Sequence, residues 1–192
     1  MKKTICTVLA MTIIGMMGSG VMADSTSIVD YVNEHEITSR EEFYELAGEE
    51  IVDDVDDAYT EVSFVITVDD DNDYIVLDTI YETPETRGTK TGSVSHDVFS
   101  NTGKLIYTIT ATGTFSYTTG SCSVTSKSGS FSYPAGSLWR STPTVSSGHV
   151  TASKAYVKVS GTATCVGLAN KTYELYLYCN SNGYLSSSFT GT

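Results

Sequence analysis

"KLIYTITATGTFSYTTGSCSV", residues 104–124, decides the fold. Leu105, Tyr107, Ile109, Ala111, Phe115 and Tyr117 fall on one side of a two-residue repeat, with Thr108, Thr110, Thr112, Thr114 and Ser116 on the other. So long an alternation of apolar and hydroxyl-bearing residues describes an antiparallel strand with one dry and one wet face. Gly113, in the middle, marks a bulge or a bend where the strand changes sheets. Thr119 and Gly120 turn the chain into a second strand that carries Cys122 and Val124.

The same period returns on both sides of this stretch. Ala155, Val157, Val159, Ala163 and Cys165 alternate with Tyr156, Lys158, Ser160, Thr162 and Thr164. Tyr173, Leu175, Leu177 and Cys179 alternate with Glu174, Tyr176 and Tyr178, and "NSNG" follows as a turn. Upstream, Val62, Phe64, Ile66 and Val68 share one parity, and the run from Tyr74 to Glu82 is rich in aromatic and β-branched residues. Short strands in even succession with a Ser/Thr-rich outer face predict an all-β, antiparallel β-sandwich over residues 61–192.

Before residue 61 the chain reads differently. Lys2 and Lys3 precede an apolar stretch from Ile5 to Met17, and Val21, Met22 and Ala23 form a small-x-small cleavage site, so residues 1–23 read as a secretory signal peptide. The apolar part is too short to span a bilayer, and no later run is long enough, so the expected product is secreted, extracellular and without a membrane span. Residues 24–60 read as an acidic helical segment. In "ITSREEFYELAGEEI", Ser39 and Glu42 have capping-box spacing, and Phe43, Leu46, Ala47 and Ile51 recur at helical intervals. A weaker helix covers Ser27 to His35. Both are too short to be stable alone in water and must dock.

Charge is split between the two halves of a chain of net charge −12. Residues 24–85 hold 21 acids and one base, Arg40, whereas residues 86–192 hold eight bases and two acids, Asp97 and Glu174. This balance argues against nucleic acid as a partner, because phosphate binding needs concentrated Lys and Arg. The acidic segment is either a solvated face or lies against the basic half by long-range attraction that salt weakens.

Asp69, Asp70, Asp71 and Asp73 crowd the turn between the two strands that follow residue 60. An EF-hand starting at Asp69 would need Gly where Tyr74 stands and Glu where Ile80 stands, so that motif is excluded. A solvated turn is the default, and an irregular calcium site at Asp69, Asp71 and Asp73 is the alternative, since the carboxylates repel one another. No other cofactor is implied.

After the signal peptide three cysteines remain. If Cys165 and Cys179 lie on the two arms of a hairpin over "VGLANK", they stand roughly 20 Å apart at strand rise, too far for a disulfide. Cys122 is then one half of any bridge. Cys179, also at a strand end on an inward position, is the favoured partner, and Cys165 remains a small buried hydrophobe, with a catalytic thiol as the rival reading.

No HExxH, GxSxG, P-loop or CxxC motif occurs, and His96 and Asp97, adjacent on a strand, point to opposite faces. The residues therefore predict no enzyme. Tyr176 and Tyr178 share an outer face, opposite the small residues Thr162 and Ser160 in the expected hairpin register, and make a flat platform for a sugar or a protein unless a helix covers them. Trp139 reads as core.

"GKLIYTITATGTFSY", Cys122, the lone Trp139 in "SLWRST", "ASKAYVKVSGTAT" and "YELYLYCNSNGYLS" together resemble a group of small exported proteins of Gram-positive, mostly clostridial gut bacteria. The resemblance covers roughly residues 100–186. It implies an immunoglobulin-like sandwich, supports pairing Cys122 with Cys179 and supplies no catalytic residue; Cys165 departs from the pattern. The expectation is a non-catalytic binding module for an extracellular protein or glycan. The alternative is a proprotein whose acidic segment masks a basic effector until proteolysis in "PETRGTKTGS", read as an exposed loop.

Overall fold

β5 (Leu105–Thr118) keeps the alternation expected of it, burying Leu105, Tyr107, Ile109, Ala111 and Phe115 in turn. The computed structural model describes residues 4–7, 28–49, 59–68, 74–83 and 88–191. Within these, β5 is one member of a six-stranded antiparallel sheet. Its order is β1 (Thr4–Thr7), β2 (Thr60–Val68), β3 (Tyr74–Glu82), β4 (Thr89–Ser100), β5 and β6 (Ser121–Ser132). A second antiparallel sheet has the order β10 (Leu185–Gly191), β9 (Lys171–Asn180), β8 (Lys154–Ala163) and β7 (Thr144–Thr151). Each sheet is a meander in which consecutive strands pair, whereas immunoglobulin domains interleave their strands by Greek-key connections. The Asp69–Asp73 turn lies outside the described residues.

β1 comes from the stretch read as a signal peptide, with Thr4 opposite Thr67 and Thr7 opposite Phe64 on β2. In the full chain β1 therefore closes the β2 edge. Cleavage after Ala23 would remove it and leave β2 as the edge strand.

The four-stranded sheet covers one face of the larger sheet, and the shared core contains Val94, Val98, Ile109, Phe115, Val157, Val159, Leu175 and Leu177. Gly92, Gly113 and Gly129, on β4, β5 and β6, let the two sheets approach closely. A Cβ on Gly113 would lie 2.7 Å from Cγ2 of Val157, and one on Gly129 would lie 2.2 Å from Cγ2 of Val159. β5 does not pass to the other sheet at Gly113. It stays paired with β4, where Gly113 faces Gly92, and the only irregularity against β6 lies at Thr114/Phe115. Gly113→Ala should therefore cost about 1–3 kcal/mol by overpacking, read as a lower urea midpoint with unchanged m.

The other face of the larger sheet is covered by helices α1 (Ile28–Glu34) and α2 (Arg40–Ala47). Ser39 Oγ accepts the Glu42 N–H at 3.1 Å, as the capping spacing predicts. Glu42 reaches one residue further back than in a capping box, accepting the N–H of Thr38 at 2.7 Å. Gly48, at φ 69°, ends α2 in the left-handed region. Val29, Val32, Phe43 and Tyr44 then bury against Phe64, Ile66, Ile75, Leu77, Phe99 and Leu105. Phe43 and Tyr44 meet Phe99 edge to face at 4.9 and 5.2 Å.

β4 takes up the second half of the loop expected in "PETRGTKTGS", whose residues 84–87 lie outside the described residues. From Thr89 onward that stretch is a strand between β3 and β5, and Lys90, Ser93, Ser95, His96 and Asp97 are all buried. Its polar residues read as a loop because their partners lie on other strands. Ser93 shares a hydrogen bond with Thr112 at 2.9 Å, Thr91 with Thr114 at 3.0 Å, and Lys90 pairs with Glu82 at 2.8 Å. Releasing the basic half would also strip away β2 and β3, along with fully buried Ile75 and Leu77.

Candidate functional site

The outer face of the four-stranded sheet carries the tyrosines. Strand alternation sends Tyr176 and Tyr178 outward from β9 while Leu175, Leu177 and Cys179 enter the core. Their cross-strand neighbours on β8 are Lys158 and Tyr156, not Thr162 and Ser160, because Ala163 pairs with Lys171 and the hairpin loop is longer than expected. Small residues do flank the rings, but on the other strands. Ser186 and Ser188 stand opposite Tyr178 and Tyr176 on β10, and Gly148 on β7 faces Tyr156. A Cβ on Gly148 would come within 2.7 Å of the Tyr156 hydroxyl, so a bare backbone makes room for that ring.

The rings stand as parallel plates. Tyr176 and Tyr178 stack with centroids 5.6 Å apart and planes 3° apart, and Tyr156 meets Tyr176 edge-on at 5.5 Å. Lys154 Nζ lies 4.3 Å from the Tyr178 centroid and Lys158 Nζ lies 5.6 Å from that of Tyr176. Lys158 donates to Glu174 at 2.8 Å, and Tyr176 Oη donates to the same carboxyl at 2.9 Å. The Lys158 hydrogen bond, reinforced by that of Tyr176, lowers the Glu174 pKa below the ordinary carboxylate value, and the Lys158 pKa rises through the same bond. The Lys158–Glu174 pair is thus ionised across neutral pH. The helices pack on the opposite side of the molecule, on the larger sheet, and not over these rings.

Among the described residues Cys122, Cys165 and Cys179 are free, so the expected Cys122–Cys179 disulfide is not present. The two sulfurs are nevertheless neighbours. Cys122 and Cys179 are both buried in the same core and interact electrostatically, while the Cys179 thiol donates to the Asn180 carbonyl at 3.5 Å. Burial, followed by the neighbouring Cys122, pushes the Cys179 thiol up to about 12. Cys165 departs from the inward position expected of it. β8 ends at Ala163, and Cys165 sits half-buried beyond it, with its thiol 3.9 Å from the Val166 carbonyl.

His96 and Asp97 point to opposite faces, as adjacent strand residues must, and each finds a partner that their spacing did not announce. His96 Nδ1 lies 2.6 Å from Oδ1 of Asp78, its register partner on β3. Asp97, fully buried, faces the helices, where Arg40 Nε lies 3.5 Å from its Oδ2. This contact is an ion pair by distance without hydrogen-bond alignment. Arg40 also donates from Nη1 to Tyr81 at 2.7 Å, while Asp97 Oδ1 accepts from Ser95 at 2.8 Å and Thr108 at 2.7 Å. Burial raises the Tyr44 phenol pKa strongly, and the Asp97 charge adds to it.

Asp69, Asp71 and Asp73 lie outside the described residues, and no group of three potential metal ligands occurs among the described ones. No helix there is long and apolar enough to cross a membrane. No family model matches the chain, and neither a curated protein nor a solved structure matches it.

Proposed function

We propose that the protein is a secreted, non-catalytic interaction module that engages the surface of an extracellular protein through the tyrosine face of its four-stranded sheet. One observation supports a protein partner over a glycan. Tyr176 and Tyr178 turn their ring faces toward each other, and Lys154 and Lys158 sit over the two rings. Sugars stack on open ring faces, whereas this surface offers ring edges, hydroxyls and ammonium groups, the mixture enriched at protein–protein contacts. The immunoglobulin-like class enters this reading only as a two-sheet architecture that displays an outer face. Membership of the exported Gram-positive group is part of the same proposal.

Binding to extracellular protein extracts and to a glycan array tests the reading. Tyr176→Ala combined with Tyr178→Ala should weaken capture of a protein partner by about 100-fold, the effect of removing two interface tyrosines at about 1–2 kcal/mol each. Val166→Ser, at an 88% exposed site in the loop between β8 and β9, should leave capture unchanged. Equal binding by the double variant, or retention of glycans alone, would overturn the protein-surface reading.

A further inference from the structure

The two sheets do not close completely at one end. Between β3, β4 and β5 on one side and β9 and β10 on the other lies a cleft of about 160 Å³. Its walls are mostly aromatic, with Tyr74, Tyr107, Trp139, Tyr173 and Phe189 around the opening. His96 lines the same space with its imidazole stacked on Phe189, centroids 3.6 Å apart and planes 14° apart.

Two polar groups there lack protein partners. With Nδ1 held by Asp78, Nε2 is the remaining hydrogen-bonding atom of His96, a residue only 2% exposed. The Tyr107 hydroxyl, on a residue 6% exposed, has no hydrogen-bond partner among the described residues. Neither atom is among the polar atoms sealed from water, so both open onto the cleft, and a ligand that matches both takes the place of solvent there. In the neutral ring a carboxylate on Nδ1 favours the tautomer with its proton there, and Nε2 then accepts. Tyr107 can donate. A ligand hydroxyl satisfies both, donating to Nε2 and accepting from Tyr107.

We infer that this cleft is a binding site for small phenols, with the ring among the aromatic walls and the hydroxyl between His96 and Tyr107. The size fits, since an apolar cavity of about 150 Å³ holds one benzene ring. Lys171 also lines the cleft, its Nζ 4.8 Å from the Tyr74 centroid, and favours a phenol that bears a carboxylate. The site lies between the sheets, apart from the outer tyrosine face, so either reading can fail without the other.

Calorimetric titration of the full chain with 4-hydroxyphenylacetate, phenylacetate, p-cresol and toluene tests the inference. Saturable one-to-one binding is expected, with each phenol about tenfold tighter than its deoxy counterpart, the size of one net hydrogen bond. Tyr107→Phe, which keeps the ring, should reduce that preference to about threefold or less with the melting temperature preserved. Lys171→Met should weaken 4-hydroxyphenylacetate and spare p-cresol. The assignment is overturned if none of the four probes saturates, if phenols and deoxy analogues bind alike, or if folded Tyr107→Phe keeps the full preference.

Discussion

Asp97→Ala should lower the unfolding free energy by about 3–5 kcal/mol, the usual cost of leaving one charge of a buried pair behind. Arg40 is 4% exposed and Asp97 is fully buried, so water cannot replace the lost carboxylate. Ser95 and Thr108 would also lose their shared acceptor. The variant Arg40→Met/Asp97→Leu removes both charges and should recover most of the loss, though the hydroxyls of Tyr81, Ser95 and Thr108 keep it below wild type. Urea unfolding of the single and double variants measures this. A single variant within about 1 kcal/mol of wild type would remove the pair from any account of how the helices dock. Salt gives a second check. Charge asymmetry between the halves suggests docking by long-range attraction, which high salt would screen, whereas a desolvated pair is screened far less. Stability should therefore change little between low and molar salt.

That pair also shows where the sequence could be read and where it could not. β5, β8 and β9 were legible because burial of alternate residues imposes a period of two on their composition. α2 was legible because Ser39 and Glu42 set a capping spacing ahead of a helical repeat. β4 was not, although its interior is almost wholly buried, because it lies between two layers and holds Ser93, His96 and Asp97 through partners on β3, β5 and α2. Such pairings depend on register, and register depends on loop lengths that composition does not set. The tyrosine face shows the same limit. Alternation sent Tyr176 and Tyr178 outward, but a hairpin pairing displaced by four positions gave them Lys158 and Tyr156 as neighbours and turned a flat platform into stacked plates. The expected Cys122–Cys179 bond is absent, yet the two residues do come together, because both lie inward at strand ends in the same core. The His96 cleft left no local signal, since its lining comes from both sheets and from the segment carrying Trp139.

Protein refolded in the presence of oxygen should carry a Cys122–Cys179 disulfide and be more stable than the reduced form by about 4 kcal/mol, the loop-closure value for a ring of some 60 residues. Two thiols that are already in contact need little rearrangement to bond, which limits the strain that often erodes such gains. Timing matters, because the attacking species is the thiolate, and a Cys179 thiol raised to about 12 supplies very little of it at neutral pH. Folded, reduced protein should therefore oxidise slowly, whereas the unfolded chain, with ordinary thiols in water, should close the bond as it folds. Thiol counting after denaturation separates the two histories. In the chain that starts at Asp24, one reactive thiol, Cys165, is expected after refolding with oxygen, and three in protein kept reduced. Cys165→Ser should leave the stability gain intact, and Cys122→Ala should abolish it. Three titratable thiols after oxidative refolding, or a bonded form that melts with the reduced one, would show that the contact between Cys122 and Cys179 is packing alone.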